Sequence, residues 1–204
     1  LGTIQSIATI IATGIGCYVA LSGLRAWKNE MTGRRDIELC QTVIEQFYKA
    51  EQMMAELRSG FAYPSIESAD RPKPEGETKA ERDHRDSLYV PLARWQKQRE
   101  FWSELFALKF RMRALFGDAA AEPFDLLHQA VREFTSAASV RYEMDLNGTD
   151  SADAELRRSF SAALWAAPAN EDKIGPLLRK AIPAMENICI PIVRARLPLW
   201  KRLF

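Results

Sequence analysis

Residues 3–24 read TIQSIATIIATGIGCYVALSGL. No side chain in this stretch is charged. As a helix rising ~1.5 Å per residue it would span roughly 33 Å, about the thickness of a bilayer's hydrocarbon core. Cations follow at once, at Arg25, Lys28, Arg34 and Arg35, with Trp27 among them. The span therefore reads as a transmembrane helix, and Arg25, Trp27 and Lys28 as its interfacial anchor at the membrane surface. The basic flank places the C-terminal side in the cytoplasm and the N-terminal end outside.

Two other readings of the stretch are weaker. A cleavable signal peptide needs a basic leading region and a small-residue cleavage site. Nothing basic precedes Ile4, and Gly23-Leu24-Arg25-Ala26-Trp27 offers no such site. A buried core helix draws on Gln5, Ser6, Thr9, Thr13 and Ser22, which make the stretch only moderately apolar. Buried helices, however, rarely run this long without a charge. Ala8, Ala12, Gly16 and Ala20 are four apart and share one helix face. Small residues let two helix backbones approach closely in lipid, so a homodimer through this face is an expectation. The plain alternative is that small residues are common in membrane helices.

Composition bounds the remainder. About 180 residues follow the span, enough for one domain with a real core. Formal net charge is +1 and the pI is about 7.9, which gives no bias toward nucleic acid. Cys17, Cys40 and Cys189 are three in number and have no C-x-x-C spacing, so no disulfide framework is expected.

Residues 25–60 read as a juxtamembrane helix joining the span to the domain. Ile37, Cys40, Ile44, Phe47, Met54 and Leu57 recur at three- and four-residue steps, with Val43 and Met53 widening the stripe. This helix can continue directly from the span, with Thr32-Gly33 as the expected bend, and Ser59-Gly60 is its stop. Residues 61–87 hold Pro64, Pro72, Pro74 and Gly76 among many charges. They read as a long loop, partly disordered, with the ERDHRD run at 81–86 leading into the next helix.

Residues 88–190 hold the other bundle helices. From Leu88 to Phe116, Leu92, Trp95, Trp102, Leu105, Phe106 and Phe110 form one apolar face, extended by Phe101, Leu108, Met112 and Leu115. Gly117 ends that helix and Pro123 starts the next, whose stripe is Phe124, Leu127, Val131, Phe134, Ala138 and Tyr142. Ser151 caps a further helix and Asn170 opens the last, in which Pro183 predicts a kink or an early end. The fold class expected is all-α: one N-terminal transmembrane helix followed by an antiparallel four- or five-helix bundle. Residues 191–204, PIVRARLPLWKRLF, carry Arg194, Arg196, Lys201 and Arg202 with Trp200 between them and no acid. Such a tail suits an anionic membrane surface, the other reading being that it packs on the bundle.

Trp27, Gly33-Arg34-Arg35, Glu38-Leu39, Phe47-Tyr48-x-Ala50 and Arg58-Ser59-x-Phe61 together resemble a pattern in bacterial membrane-anchored helical proteins with no assigned activity. Leu115-Phe116-Gly117 and Glu186-x-Ile188-Cys189-x-Pro191 are similar to its later part. The resemblance implies the architecture and a bacterial inner membrane, and it brings no catalytic residues.

Few residues in the sequence could carry chemistry. Glu81-x-x-His84 and Asp125-x-x-His128 have the carboxylate–imidazole spacing of a di-iron bundle, but such a site needs two more inward carboxylates. Cys40 and Cys189 sit on apolar faces without a neighbouring cation to lower their pKa. No G-x-S-x-G and no glycine-rich phosphate loop is present. No catalytic, cofactor-binding or metal residue is assigned. The functional expectation is a cytoplasmic, non-catalytic interaction or scaffold module with membrane lipid and an unidentified protein as partners. The alternative is a sensory or ligand-binding bundle signalling through the membrane helix.

Overall fold

A computed structural model of the chain describes residues 2–148, 154–166 and 171–195. The side chains of residues 2–17, 25, 26, 29, 32 and 154 lie outside that description. Among the described residues all regular structure is helical. The elements are α1 (Gly2–Leu57), α2 (Pro64–Glu67), α3 (Lys79–Phe116), a 3-10 turn (Asp118–Ala120), α4 (Glu122–Leu146), α5 (Ala154–Leu164) and α6 (Gly175–Ala195).

The second half of α1, α3, α4 and α6 form a closed ring in which each packs on the next: α1 on α3, α3 on α4, α4 on α6, and α6 on α1. Each neighbouring pair runs antiparallel. Arg94 of α3 bonds the Glu56 carbonyl of α1, while further along Lys49 lies over the Phe101 ring. His84 meets Asp145 at one end of the α3–α4 pair and Phe106 meets His128 toward the other. Arg58 reaches Asp172 just before α6, while Tyr48 donates to Glu186 within it. The four helices alternate in direction around the ring; only the α3–α4 connection is short, while those from α1 to α3 and from α4 to α6 carry α2 and α5. The two remaining helices flank the ring, α5 on α4 and α2 on α3.

The α1 stripe enters the core as Leu39, Cys40, Val43, Phe47, Ala50, Met54 and Leu57. Phe47 crosses the bundle to meet Phe124 edge-on, with ring centroids 4.9 Å apart. Trp102, Leu105 and Met112 of α3 are fully buried, with Phe134 and Leu127 from α4 and Ile174 and Met185 from the α6 side. A smaller cluster of Tyr89, Ala93 and Tyr142 closes the far end of the α3–α4 pair.

At four points the helices meet or depart from these expectations. First, the juxtamembrane helix continues directly from the expected span: α1 is one helix of 56 residues, roughly 84 Å long, unbroken at Thr32-Gly33. A single glycine costs only about 1 kcal/mol in a helix interior, and no proline interrupts the run. Second, residues 61–87 are not one loop. Helix α2 lies inside that range, and α3 begins at Lys79, so the ERDHRD run is helical. A capping box starts it: Thr78 accepts from the Glu81 backbone while the Glu81 side chain bonds back to Thr78.

Third, Pro183 does not shorten α6, which also runs through Pro191 to Ala195. Both prolines are exposed, as are Arg179 and Asn187 four residues before them, so the carbonyls they free face water. Fourth, Phe110 is 73 % exposed and Leu115 is also exposed, although the apolar pattern placed both in the core face. At ~100° per residue Phe110 lies about 140° around the helix from Leu105 and about 160° from Met112. Gly117 ends α3 as expected, with φ 84° as its C-cap, and Pro123 sits in the first turn of α4. Ser151 and Asn170 lie outside the described residues.

Candidate functional site

Among the described residues no helix is long and apolar enough to cross a membrane. The side chains of residues 2–17, most of the expected 3–24 span, lie outside that statement. Where description begins, Tyr18, Val19, Ala20, Leu21, Ser22, Gly23 and Leu24 are all exposed, Tyr18 at 74 %. Seven consecutive helical residues cover nearly two turns, so apolar surface is uncovered in every direction around this part of α1. Of the packing face proposed from small residues, Ala20 is exposed and the side chains of Ala8, Ala12 and Gly16 lie outside the description.

Trp27 and Lys28 are exposed on α1, and the Arg25 side chain is not described. Arg34 pairs with Glu30 at 2.6 Å on the surface. Arg194 is exposed in the last turn of α6. Arg196, Trp200, Lys201 and Arg202 lie outside the described residues. Because α6 runs antiparallel to α1, Ala195 ends near the end of the bundle from which the first half of α1 leaves.

The opposite end of the bundle is fastened by three arginines that the sequence reading did not single out as structural. Arg58, buried just past the end of α1, donates to the Ala163 and Trp165 carbonyls at 3.1 and 2.5 Å and to Asp172 at 2.8 Å. Asp172 also accepts from the backbone of Ile174 and Gly175 ahead of α6. Burial pushes the Asp172 carboxyl up, but the Gly175 N–H and Arg58 outweigh it and hold the group below its ordinary range.

Arg94 donates to Glu67 at 2.6 Å and to the Ser59 carbonyl at 2.7 Å, tying α2 and the end of α1 to α3. Its bond lowers the Glu67 carboxyl. Arg71 has no exposed side-chain surface and is held by Glu77 at 2.8 Å and Asp86 at 2.6 Å. Arg85 extends this network, bonding Glu77 and Asp145. Arg71, and then Arg85, lower the Glu77 carboxyl.

The candidate chemical residues are placed as follows. His84 is largely exposed and lies 3.0 Å from Asp145. His128 stacks edge-on to Phe106, and Asp125 pairs with Lys109. Among the described residues no group of three His, Cys, Asp or Glu comes together as a metal site would need. Cys40 and Cys189 are buried free thiols that meet across the α1–α6 contact, and Cys189 Sγ lies 3.6 Å from Met185 Sδ. Burial raises both thiols above their ordinary range, the state of an unreactive core cysteine.

On the α3–α4 face the apolar spacing predicts only core, and the structure adds a groove. Trp95, Trp102, Phe106 and His128 make a continuous row of rings along an open groove there, with Arg99 and Arg132 beside them. The Trp102 indole N–H is buried and has no acceptor among the described residues. An unpaired buried donor costs about 1–3 kcal/mol. The signal in the sequence was the aromatic spacing along α3, which serves a core and a groove floor equally well.

Comparison with protein-family models, with curated proteins and with solved structures finds no match for this chain.

Proposed function

We propose that this chain is a single-pass, membrane-anchored helical bundle, held on the cytoplasmic face of a bacterial inner membrane, acting as a non-catalytic interaction or scaffold module. The observation that carries the reading is the apolar helix surface at Tyr18–Leu24, which no bundle helix covers. It continues the uncharged run that begins at Thr3. A spanning helix covers that surface with lipid, and Trp27 and Lys28 then fall at the headgroups. The all-helical bundle and its ion-paired far end present a firm surface at the end of a long helical stalk. Such a structure suits holding a protein partner at a set distance from the membrane.

The test has two parts. The full chain should remain in the membrane pellet after alkaline carbonate extraction, and a cytoplasm-active reporter fused after Phe204 should be bright while a periplasm-active phosphatase there is inactive. Release into the supernatant rules out the spanning helix. An active phosphatase reverses the orientation. Co-purification from detergent extracts should then yield a stoichiometric protein partner.

A further inference from the structure

The groove between α3 and α4 carries chemistry that neither the core nor the arginine network uses. Its volume is about 320 Å³, which suits a small molecule. Trp95 and Phe106 are half-buried walls and the buried Trp102 is the floor, with ring centroids 6.3 and 6.1 Å from Trp102 to its two neighbours. Arg99 from α3 and Arg132 from α4 line the groove, and His128 stands at the Phe106 end. Among the described lining residues none is a carboxylate. Trp102, one of the rings in that row, carries a buried N–H, a group that can only donate and has no acceptor among the described residues.

We infer that this groove binds a small aromatic carboxylate. Three observations point to the same ligand. Aromatic walls favour a flat ring, offset or edge-on. Two guanidiniums with no opposing acid favour an anion, and a planar carboxylate matches the guanidinium fork. The orphan indole donor calls for an acceptor. In the complex one carboxylate oxygen accepts from Trp102 Nε1, the other accepts from Arg99 or Arg132, and the ring packs between Trp95 and Phe106. Since Nε1 is covered in the free protein, a half-buried wall ring turns aside as the ligand enters. No residue of α1 lines the groove, so the inference does not depend on membrane attachment.

The experiment follows the indole N–H resonances of the ¹⁵N-labelled full chain in non-ionic detergent during titration with phenylacetate. Five tryptophans give five such signals. The Trp102 signal is identified by its loss in W102F or, should that variant not fold, as the one retained in W27F, W95F, W165F and W200F. For a ligand of this size the expected Kd is on the order of 1 mM. The Trp102 resonance should move along that binding curve. 2-Phenylacetamide, which keeps the ring and the carbonyl acceptor but not the charge, should bind at least ~10-fold more weakly. The surface variant R99Q/R132Q should lose phenylacetate affinity by a similar factor with its circular dichroism unchanged. The inference is overturned if the Trp102 resonance does not move, if the amide binds as well as the acid, or if R99Q/R132Q binds phenylacetate like the parent.

Discussion

Arg71 illustrates how much one side chain can decide. It sits in the stretch whose prolines and charges read as loop, yet its guanidinium is wholly buried between Glu77 and Asp86. Replacing it by methionine keeps the bulk and leaves those two carboxylates buried without their chief partner. Breaking a buried ion pair in this way costs about 3–5 kcal/mol. For a domain of this size R71M should lower Tm by roughly 10 °C. A change of a degree or two would show that the network is dispensable. Carboxylates held by the buried and half-buried arginines set the acid limit of stability. Glu67, Glu77 and Asp172 are all held below their ordinary values in the folded chain. Their contribution is present above the ordinary carboxylate pKa of about 4 and is lost as pH falls through the folded values. Tm measured from neutral pH downward should drop in that acid window, and the drop should be shallower in R71M.

At the scale of elements, α1 is the unusual piece: one uninterrupted helix, half in the bundle and half outside it. Its outer half carries the four small residues at Ala8, Ala12, Gly16 and Ala20. If two copies of the proposed membrane helix pack along that face, a large side chain at Gly16 separates the backbones. G16L should then weaken self-association several-fold in a membrane two-hybrid assay while the bundle's thermal unfolding stays unchanged. An unaltered signal would return these residues to the ordinary composition of a membrane helix.

Across the whole molecule, the antiparallel ring brings the end of α6 back toward the point where α1 leaves the bundle. The basic segment continuing from Arg194 through Arg196, Lys201 and Arg202 therefore starts at the anchor side. Each cation near an anionic surface contributes about 1 kcal/mol. The buried core begins at Leu39, so a fragment from Asp36 onward keeps all of it. That fragment should float with liposomes containing anionic lipid and detach as salt rises. R194Q/R196Q/K201Q/R202Q should abolish flotation without unfolding it. Equal flotation of the variant would mean that the tail packs on its own bundle.

What was legible in the sequence was local. The 3.6-residue apolar period marked the bundle helices, and Gly117 and Pro123 marked the α3–α4 turn, because periodicity and caps act within a few residues; α1 ends at Leu57, close to Ser59-Gly60, but Gly60 does not take the left-handed conformation on which that stop rested. What only the tertiary structure decided was the choice among distant partners. The ring of four helices determined that Leu39 enters the core while Phe110 faces out, since each helix buries only the arc its two neighbours cover. The closure of the far end decided that Arg58 and Arg71, both buried, and the half-buried Arg94 become fasteners. Their carbonyl and carboxylate partners come from segments up to 114 residues away, and no local pattern encodes such a pairing. The prolines of α6 obeyed the same logic: their local preference for breaking a helix yielded to the burial of Ile182, Met185 and Cys189 around them.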